Sequence, residues 1–343
     1  MCCEKTRTDI LLEDSKRIWN TVDPERFRDT VFLITGATGL IGATLVRALL
    51  YANRCNDLNL RIILWVRDRK KAELLFKDAA ELEFVECDIT SAPEISVRVD
   101  YIVHCANPTS SRFFLNNPAG TINIAVEGTK NVLDISRKND IKGMVFLSSM
   151  EVYGFPQKGE EVTEDRMGGF DPTVPRNCYP ISKQLCESMC CAYAAQYKVP
   201  AKIIRLTQTF GPGVDYNDGR IFAEFARCAK EKKNIVLMTQ GETERCYLYT
   251  ADAVEAILVV LLDGAAGQAY TAANPKTYCS ILQMAQDFAK ENDISVEIAA
   301  KDVSKLGYAD TLYMKLNTDK IEKLGWKPKV GLMEMFRRMM EAM

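Results

Sequence analysis

The sequence predicts an α/β protein: a doubly wound parallel sheet with a smaller C-terminal lobe. Three observations predict it. An apolar strand runs directly into a glycine turn and a helix over residues 31–50. Further short apolar runs alternate with helical stretches, which places parallel strands in one sheet with helices on both faces. The chain has 343 residues, 47% apolar and 26% charged, enough for one large domain or one plus a lobe.

Residues 1–28 precede the first strand and read as an arm. Ile10, Leu11, Ile18 and Trp19 are spaced for one helical face, to dock on the core or on another subunit. Val31 to Ile34 has the length of a buried strand. Gly36, Gly39 and Gly42 then fall at G-x-x-G-x-x-G spacing, and Ala43 to Leu50 reads as an apolar helix. Strand, glycine turn and helix in that order predict a dinucleotide site. The first glycine permits a tight turn, the second lets the backbone approach a phosphate, and the third lets helix and strand pack closely. Free N–H groups at the helix start suit a pyrophosphate. Gly36, Thr38, Gly39, Leu40, Ile41 and Gly42 are therefore the candidate cofactor residues of this Rossmann-type turn.

Arg61 to Val66 makes the second strand. An acidic residue at such a strand end binds adenosine ribose hydroxyls in NAD sites. Here the end reads Val66-Arg67-Asp68. Asp68 can make that bond; Arg67 can instead pair with the extra phosphate of NADP. Glu83 to Ile89 is the third strand, with Asp88 and Ile89 expected near the adenine. Tyr101 to Ala106 is the fourth, residues 119–138 form a long helix, and Met144 to Ser149 is the fifth strand. Ligands bind beyond the carboxyl ends of such strands, where Ser148, Ser149 and Glu151 fall.

Tyr179-Pro-Ile-Ser-Lys183 follows a loop rich in Pro and Gly. From Pro180 to Tyr197 the pattern is helical, with Pro in the first turn where it is tolerated. Tyr179 and Lys183, four apart, share a helix face. A tyrosine of pKa about 10 is a poor base at neutral pH, and a nearby ammonium lowers that value. Such a phenol can take a hydroxyl proton as hydride leaves the same carbon. A strand-end serine can hydrogen-bond the same oxygen.

With Gly36-x-x-Gly39-x-x-Gly42, Ser148-Ser149-Met150-Glu151-Val152-Tyr153-Gly154 and Tyr179-x-x-x-Lys183 in hand, the chain resembles an extended short-chain dehydrogenase/reductase of the NAD-dependent epimerase/dehydratase family, from residue 29 to about 335. His104-Cys-Ala-Asn-Pro-Thr-Ser, Pro175-Arg-Asn-Cys-Tyr179, Thr209-Phe-Gly-Pro212 and Asn217-Asp-Gly-Arg220 resemble the UDP-glucuronate decarboxylases within it. The resemblance implies bound, recycled NAD and a nucleotide sugar, UDP-linked, oxidised at C4. It implies Tyr179 as base, Lys183 beside it, Ser149 on the oxygen and Glu151 at C5. Met150, Gln208, Arg220 and Arg245 would lie along the substrate, with Arg245 on the UDP moiety. It also implies a homodimer.

The departures narrow the chemistry. Dehydratases of the family carry Asp-Glu where this chain has Met150-Glu151, and Met150 cannot donate a proton. Decarboxylases are expected to hold the substrate carboxylate with an arginine about a dozen residues before Gly325-Trp326, where this chain offers Lys315, a point charge without the bidentate fork. Gln208 and Ala125 stand where Asn is usual. A decarboxylase or dehydratase type is expected, with a 4- or 5-epimerase, or an NADP-dependent reductase of a small carbonyl, as alternatives.

Composition excludes other classes. A net charge of -2 offers no surface for nucleic acid or anionic membranes. No apolar run approaches the roughly 18 residues of a membrane span. The start, Met-Cys-Cys-Glu-Lys, has no apolar signal core. Twelve scattered cysteines without a CxxC pair read as free thiols in a reducing cytosol. The single histidine, His104, reads as packing at a strand end, and no metal site is expected. The cofactor domain is expected over residues 29–207 plus about 234–265. The substrate lobe is expected over about 208–233 plus 266–343, with Asn234 to Leu237 and Ala251 to Leu262 returning to the main sheet and a Met-rich helix, Leu332 to Met343, at the end.

Overall fold

Val31–Thr35 is apolar on both faces because both are covered. Phe32 and Ile34 enter one helical layer and Leu33 the other. The computed structural model describes residues 6–77, 79–95, 97–299 and 311–343. The first five residues of the arm and residues 300–310 of the expected lobe lie outside them.

In chain order the described elements are α1 (Arg7–Arg17), β1 (Val31–Thr35), α2 (Leu40–Asn56), β2 (Arg61–Val66), α3 (Arg69–Leu75), β3 (Leu82–Glu86), β4 (Tyr101–His104), α4 (Ser111–Asn116) and α5 (Pro118–Asn139). Then come β5 (Gly143–Ser149), β6 (Glu161–Val162), α6 (Cys178–Tyr197), β7 (Ala201–Leu206), β8 (Gln208–Phe210), α7 (Ile221–Lys230), β9 (Ile235–Leu237) and β10 (Glu244–Tyr249). The last are α8 (Thr250–Asp263), β11 (Ala269–Ala272), β12 (Asn274–Ser280), α9 (Ile281–Glu291), β13 (Val296–Ile298), β14 (Tyr313–Leu316), α10 (Asp319–Glu322) and α11 (Leu332–Glu341).

Seven strands pair in parallel in the order β11-β7-β5-β4-β1-β2-β3. The chain leaves β1 toward β2 and β3, then returns to β4 on the other side. That reversal opens a crevice at the carboxyl ends of β1 and β4. Helices α2 and α8 cover one face, α5 and α6 the other. A second sheet runs β12-β10-β14-β6, with β8 also on β10.

Two strand assignments differ from expectation. Ile235–Leu237 does not return to the main sheet; it pairs with β13 in a separate two-stranded sheet. Its middle residue Val236 is exposed, the alternation of a strand covered on one side only. The seventh main strand is instead β11, expected in the lobe. Its Ala-Tyr-Thr-Ala sequence has little β-branched signal, yet it is buried against β7. Ala251 to Leu262 lies within α8, a helix on the sheet face.

The arm docks on its own core. Its helix α1 packs on α2, α8 and α11, with Ile10 and Ile18 buried. The Trp19 indole donates to the Ala48 carbonyl at 3.0 Å. Asp14 is buried and accepts from the Tyr249 hydroxyl at 2.6 Å and from Arg338 at 2.8 Å, while Arg338 also donates to the Tyr249 oxygen at 2.8 Å.

Candidate active site at the strand ends

The glycine turn is built without room for side chains. Gly36 has φ +67, and a Cβ there would lie 2.7 Å from the Ala106 amide beyond β4. A Cβ on Gly42 would overlap the Gly36 carbonyl. The Gly39 amide donates to that carbonyl at 3.0 Å, and α2 then starts with no side chain capping it. The first-turn N–H groups, from Leu40 and Ile41 onward, thus have no side-chain acceptor of their own. A backbone cradle without Cβ atoms or a cap fits a dinucleotide pyrophosphate.

Arg67 and Asp68 are both exposed at the end of β2. Asp68 caps α3 by accepting from the Lys71 amide at 2.9 Å, which leaves other lone pairs for a hydroxyl. Hydrogen bonds from Thr90 hold Asp88 below the usual carboxylate range, and the Arg67 charge adds to this. Ile89 lays its side chain against Gly128 of α5.

Tyr179 and Lys183 sit in the first turns of α6, both buried. The Tyr179 ring stacks on Phe114 of α4 at 4.2 Å. Lys183 donates to the Leu147 carbonyl at 2.6 Å and lies 4.5 Å over the Phe146 ring but 6.0 Å from the centre of the Tyr179 ring. Burial pushes its ammonium down to about 8. The expectation that Lys183 lowers the phenol's pKa is not met in this structure. Burial pushes the Tyr179 phenol above its ordinary value and the Glu151 charge adds to this, while the Ser149 hydroxyl and Arg176 pull it down. The Lys183 charge is engaged by a strand carbonyl instead.

The cation acting on the phenol is Arg176, which lies inside the Pro175-Arg-Asn-Cys-Tyr179 string but carried no expected role. Arg176 pairs with the Glu151 carboxylate at 3.2 Å and lies 5.3 Å over the Phe114 ring that stacks on Tyr179. Its signal was position: a cation three residues before the expected base, in the loop that delivers it. Ser149 begins the short turn Met150–Tyr153, and its hydroxyl accepts from the Glu151 amide at 3.2 Å. Ser149, Glu151, Arg176 and Tyr179 are thus brought together. Ser148 points elsewhere, donating at 2.5 Å to the buried Glu187, which receives Arg205 at 2.7 Å.

Gln208 and Arg245 also meet, at 3.3 Å, and the Arg245 Nε is buried without a protein partner. Asn107, just past β4, has both amide atoms buried and unpartnered. It lies inside the His104-Cys-Ala-Asn-Pro-Thr-Ser string and at a strand end, but carried no expected role. Buried polar atoms are ordinarily satisfied, so both side chains suit a bound polar ligand. Arg220 is not joined to this set: it holds Asp218 at 2.5 Å and stacks on Phe222 at 4.8 Å. Met150 is buried, its sulfur accepting from Thr207 at 3.3 Å. Lys315 lies on β14 opposite Glu161 and is exposed. His104 is buried between Thr35 at 2.7 Å and Thr129 at 3.2 Å, and burial pushes it down to about 3, so it stays neutral at physiological pH, as packing requires. Among the described residues no His, Cys, Asp and Glu cluster could hold a metal, and ten cysteines are unpaired.

Residues 32–274 match the model of the NAD dependent epimerase/dehydratase family. UDP-glucuronic acid decarboxylase 1 of Xenopus tropicalis is 29% identical over 314 residues, covering 88% of this chain and 69% of that protein. The fold is that of dTDP-glucose 4,6-dehydratase from Bacillus anthracis in complex with NAD, with a TM-score of 0.74, 20% identity, and coverage of 91% of this chain and 96% of that one. It is equally that of the UDP-N-acetylglucosamine 4-epimerase from Methanobrevibacter ruminantium, with a TM-score of 0.77, 18% identity, and coverage of 92% and 98%.

Proposed function

The chain belongs to the NAD dependent epimerase/dehydratase family, and on that premise we propose that it modifies a nucleotide-linked hexose, UDP-linked, through transient oxidation at C4, in the manner of a decarboxylase or dehydratase. The observation that carries this is the convergence of Ser149, Glu151 and Arg176 on Tyr179 at the end of β5. When bound, NAD supplies the hydride acceptor. Tyr179 removes the proton of the C4 hydroxyl and Ser149 orients that oxygen. The phenol holds its proton tightly, so its deprotonation depends on the opposing pull of Ser149 and Arg176. Once C4 is a ketone, the C5–C6 bond can break with carbon dioxide leaving and its electron pair passing into the C4 enolate, which is then protonated at C5. Glu151 is the group assigned to hand over that proton; in the dehydration and epimerisation readings it instead removes the C5 proton as base. Lys183 fixes the end of β5 through the Leu147 carbonyl. Gln208 and Arg245, with its unpartnered Nε, hold the nucleotide phosphates. The Met150 side chain, which cannot protonate a leaving group, favours decarboxylation over loss of a C6 hydroxyl and supports 5-epimerisation as the second reading.

The test is turnover in heavy water of UDP-glucuronate, UDP-glucose and UDP-N-acetylglucosamine with NAD, read by mass spectrometry. Loss of carbon dioxide or water supports the main reading; deuterium gain at C5 with no group lost supports epimerisation. Tyr179→Phe is expected to lower turnover by about 10²–10⁴-fold while NAD stays bound. If no UDP-hexose reacts, the substrate assignment fails.

The working form we propose is a cytosolic homodimer. Ile122 and Leu185 are exposed on the adjacent helices α5 and α6, and the unpaired cysteines suit a reducing compartment. Among the described residues no helix is long and apolar enough to cross a membrane.

A further inference from the structure

We propose that Arg7 of the N-terminal arm and Arg47 of α2 form a phosphate subsite beside the glycine turn, so that the arm takes part in holding the dinucleotide. The two arginines line one recess of about 50 Å³ together with Thr38, Gly39, Leu40 and Gly213. Its floor is the turn whose uncapped N–H groups suit a pyrophosphate. Its size suits a single phosphoryl group, not a nucleotide.

The charge pattern points to an anion. Many of the chain's arginines pair with carboxylates, among them Arg26 with Asp263 at 2.7 Å, Arg54 with Glu81 at 2.6 Å and Arg61 with Glu83 at 2.9 Å. Arg7 and Arg47 have no carboxylate partner among the described residues, and no acidic side chain lines the recess. They line the same recess as like charges. Arg47 is also largely desolvated, and burial with the nearby Arg7 charge pushes it down to about 10. Among the described residues its partner is the Phe76 ring, 5.6 Å from the guanidinium carbon. Two like charges beside each other, one desolvated, are unfavourable until an anion joins them. Planar guanidinium forks suit phosphate oxygens in particular.

The arm is built to present Arg7 there. Thr6 and Asp9 form a reciprocal capping box that starts α1 at Arg7. The buried Asp14, tied to Tyr249 and Arg338, anchors the same helix to the core. Arg7 is thereby fixed against α2 although it lies outside the dinucleotide-binding strand order.

The inference rests on the dinucleotide being the cofactor. Its test measures binding, not turnover. Wild type, Arg7→Ala and Arg47→Gln are titrated with NAD, NADP and adenosine at low and high salt. The expected result is a loss of about tenfold in NAD affinity in each variant, the size of one charge-assisted hydrogen bond. Adenosine affinity should be unchanged and the salt dependence of NAD binding weaker. A loss confined to NADP also supports a phosphate subsite and identifies the ribose phosphate, not the pyrophosphate, as its occupant. NAD and NADP affinities within twofold of wild type in both variants overturn the proposal, as does an equal loss for adenosine. Because Arg7 is exposed on the arm, Arg7→Ala remains informative even if Arg47→Gln fails to fold. A wild-type protein that binds neither dinucleotide overturns the cofactor reading itself, a result distinct from unaffected variants.

Discussion

Glu187 and Arg205 sit beneath the candidate site with side chains only 6% and 5% exposed. Glu187 accepts from Ser148 at 2.5 Å and from Arg205 at 3.0 and 2.7 Å. Arg205 continues to the Glu164 carbonyl at 2.9 Å and stacks on Tyr153 at 4.9 Å. Burial opposes its charge, but the bonds and charge of Glu187 overcome this and raise its pKa. Glu187→Gln keeps the shape and removes the charge, stranding a guanidinium in the core. Breaking such a pair costs about 3–5 kcal/mol. With an unfolding entropy of about 2.1 cal/mol/K per residue, that lowers the melting temperature of this chain by about 4–7 °C. Replacing both residues by methionine is expected to return stability to within about 2 kcal/mol of wild type, because no charge is left unpaired. The assay is thermal and urea unfolding of Glu187→Gln, of the single variants Glu187→Met and Arg205→Met, and of the double methionine variant. A Glu187→Gln cost below about 1 kcal/mol, or a double variant as unstable as the sum of the singles, refutes the reasoning.

Two further outcomes follow from the same physics. Lys183 falls from 10.5 to about 8 on folding. A lowered folded pKa means stability that is present above the unfolded value and lost as pH falls toward the folded one. Lys183→Met lacks this group, so wild type should gain ~3 kcal/mol relative to the variant between pH 8 and 10.5; a difference flat across that range in denaturant titrations contradicts the burial argument. At the glycine turn, Gly42→Ala should weaken NAD binding at least ~tenfold, because the new methyl overlaps the Gly36 carbonyl and must push α2 away from the turn. Fluorescence titration with NAD measures it, and unaltered affinity counts against the cradle.

The parts of the molecule legible in the sequence are those with a strong local period or an obligatory residue type. Gly36, Gly39 and Gly42 could be placed because a turn that tight excludes side chains. The α6 helix carrying Tyr179 and Lys183 could be placed because its spacing and its first-turn proline agree. What was not legible depended on where long side chains turn. Lys183 goes to the Leu147 carbonyl, 36 residues away, and not to the phenol four residues away, so nearness in sequence pointed to the wrong partner. Arg176 lies in a string that suggested the family but not its own role, Arg47 is a single cation with no pattern around it, and only the fold shows what each faces. Strands β9 and β11 exchanged places for a related reason: three or four residues carry too little periodicity to say which sheet they join.

The knot of Asp14, Tyr249 and Arg338 joins the first helix of the chain to its last. Trimming either terminus therefore reaches across the sequence: without the closing helix, Asp14 keeps a phenol but loses its buried guanidinium, and without the opening helix that guanidinium loses its carboxylate. The beginning and the end of this polypeptide should melt as one cooperative segment, and a protease that nicks one tail should loosen the other.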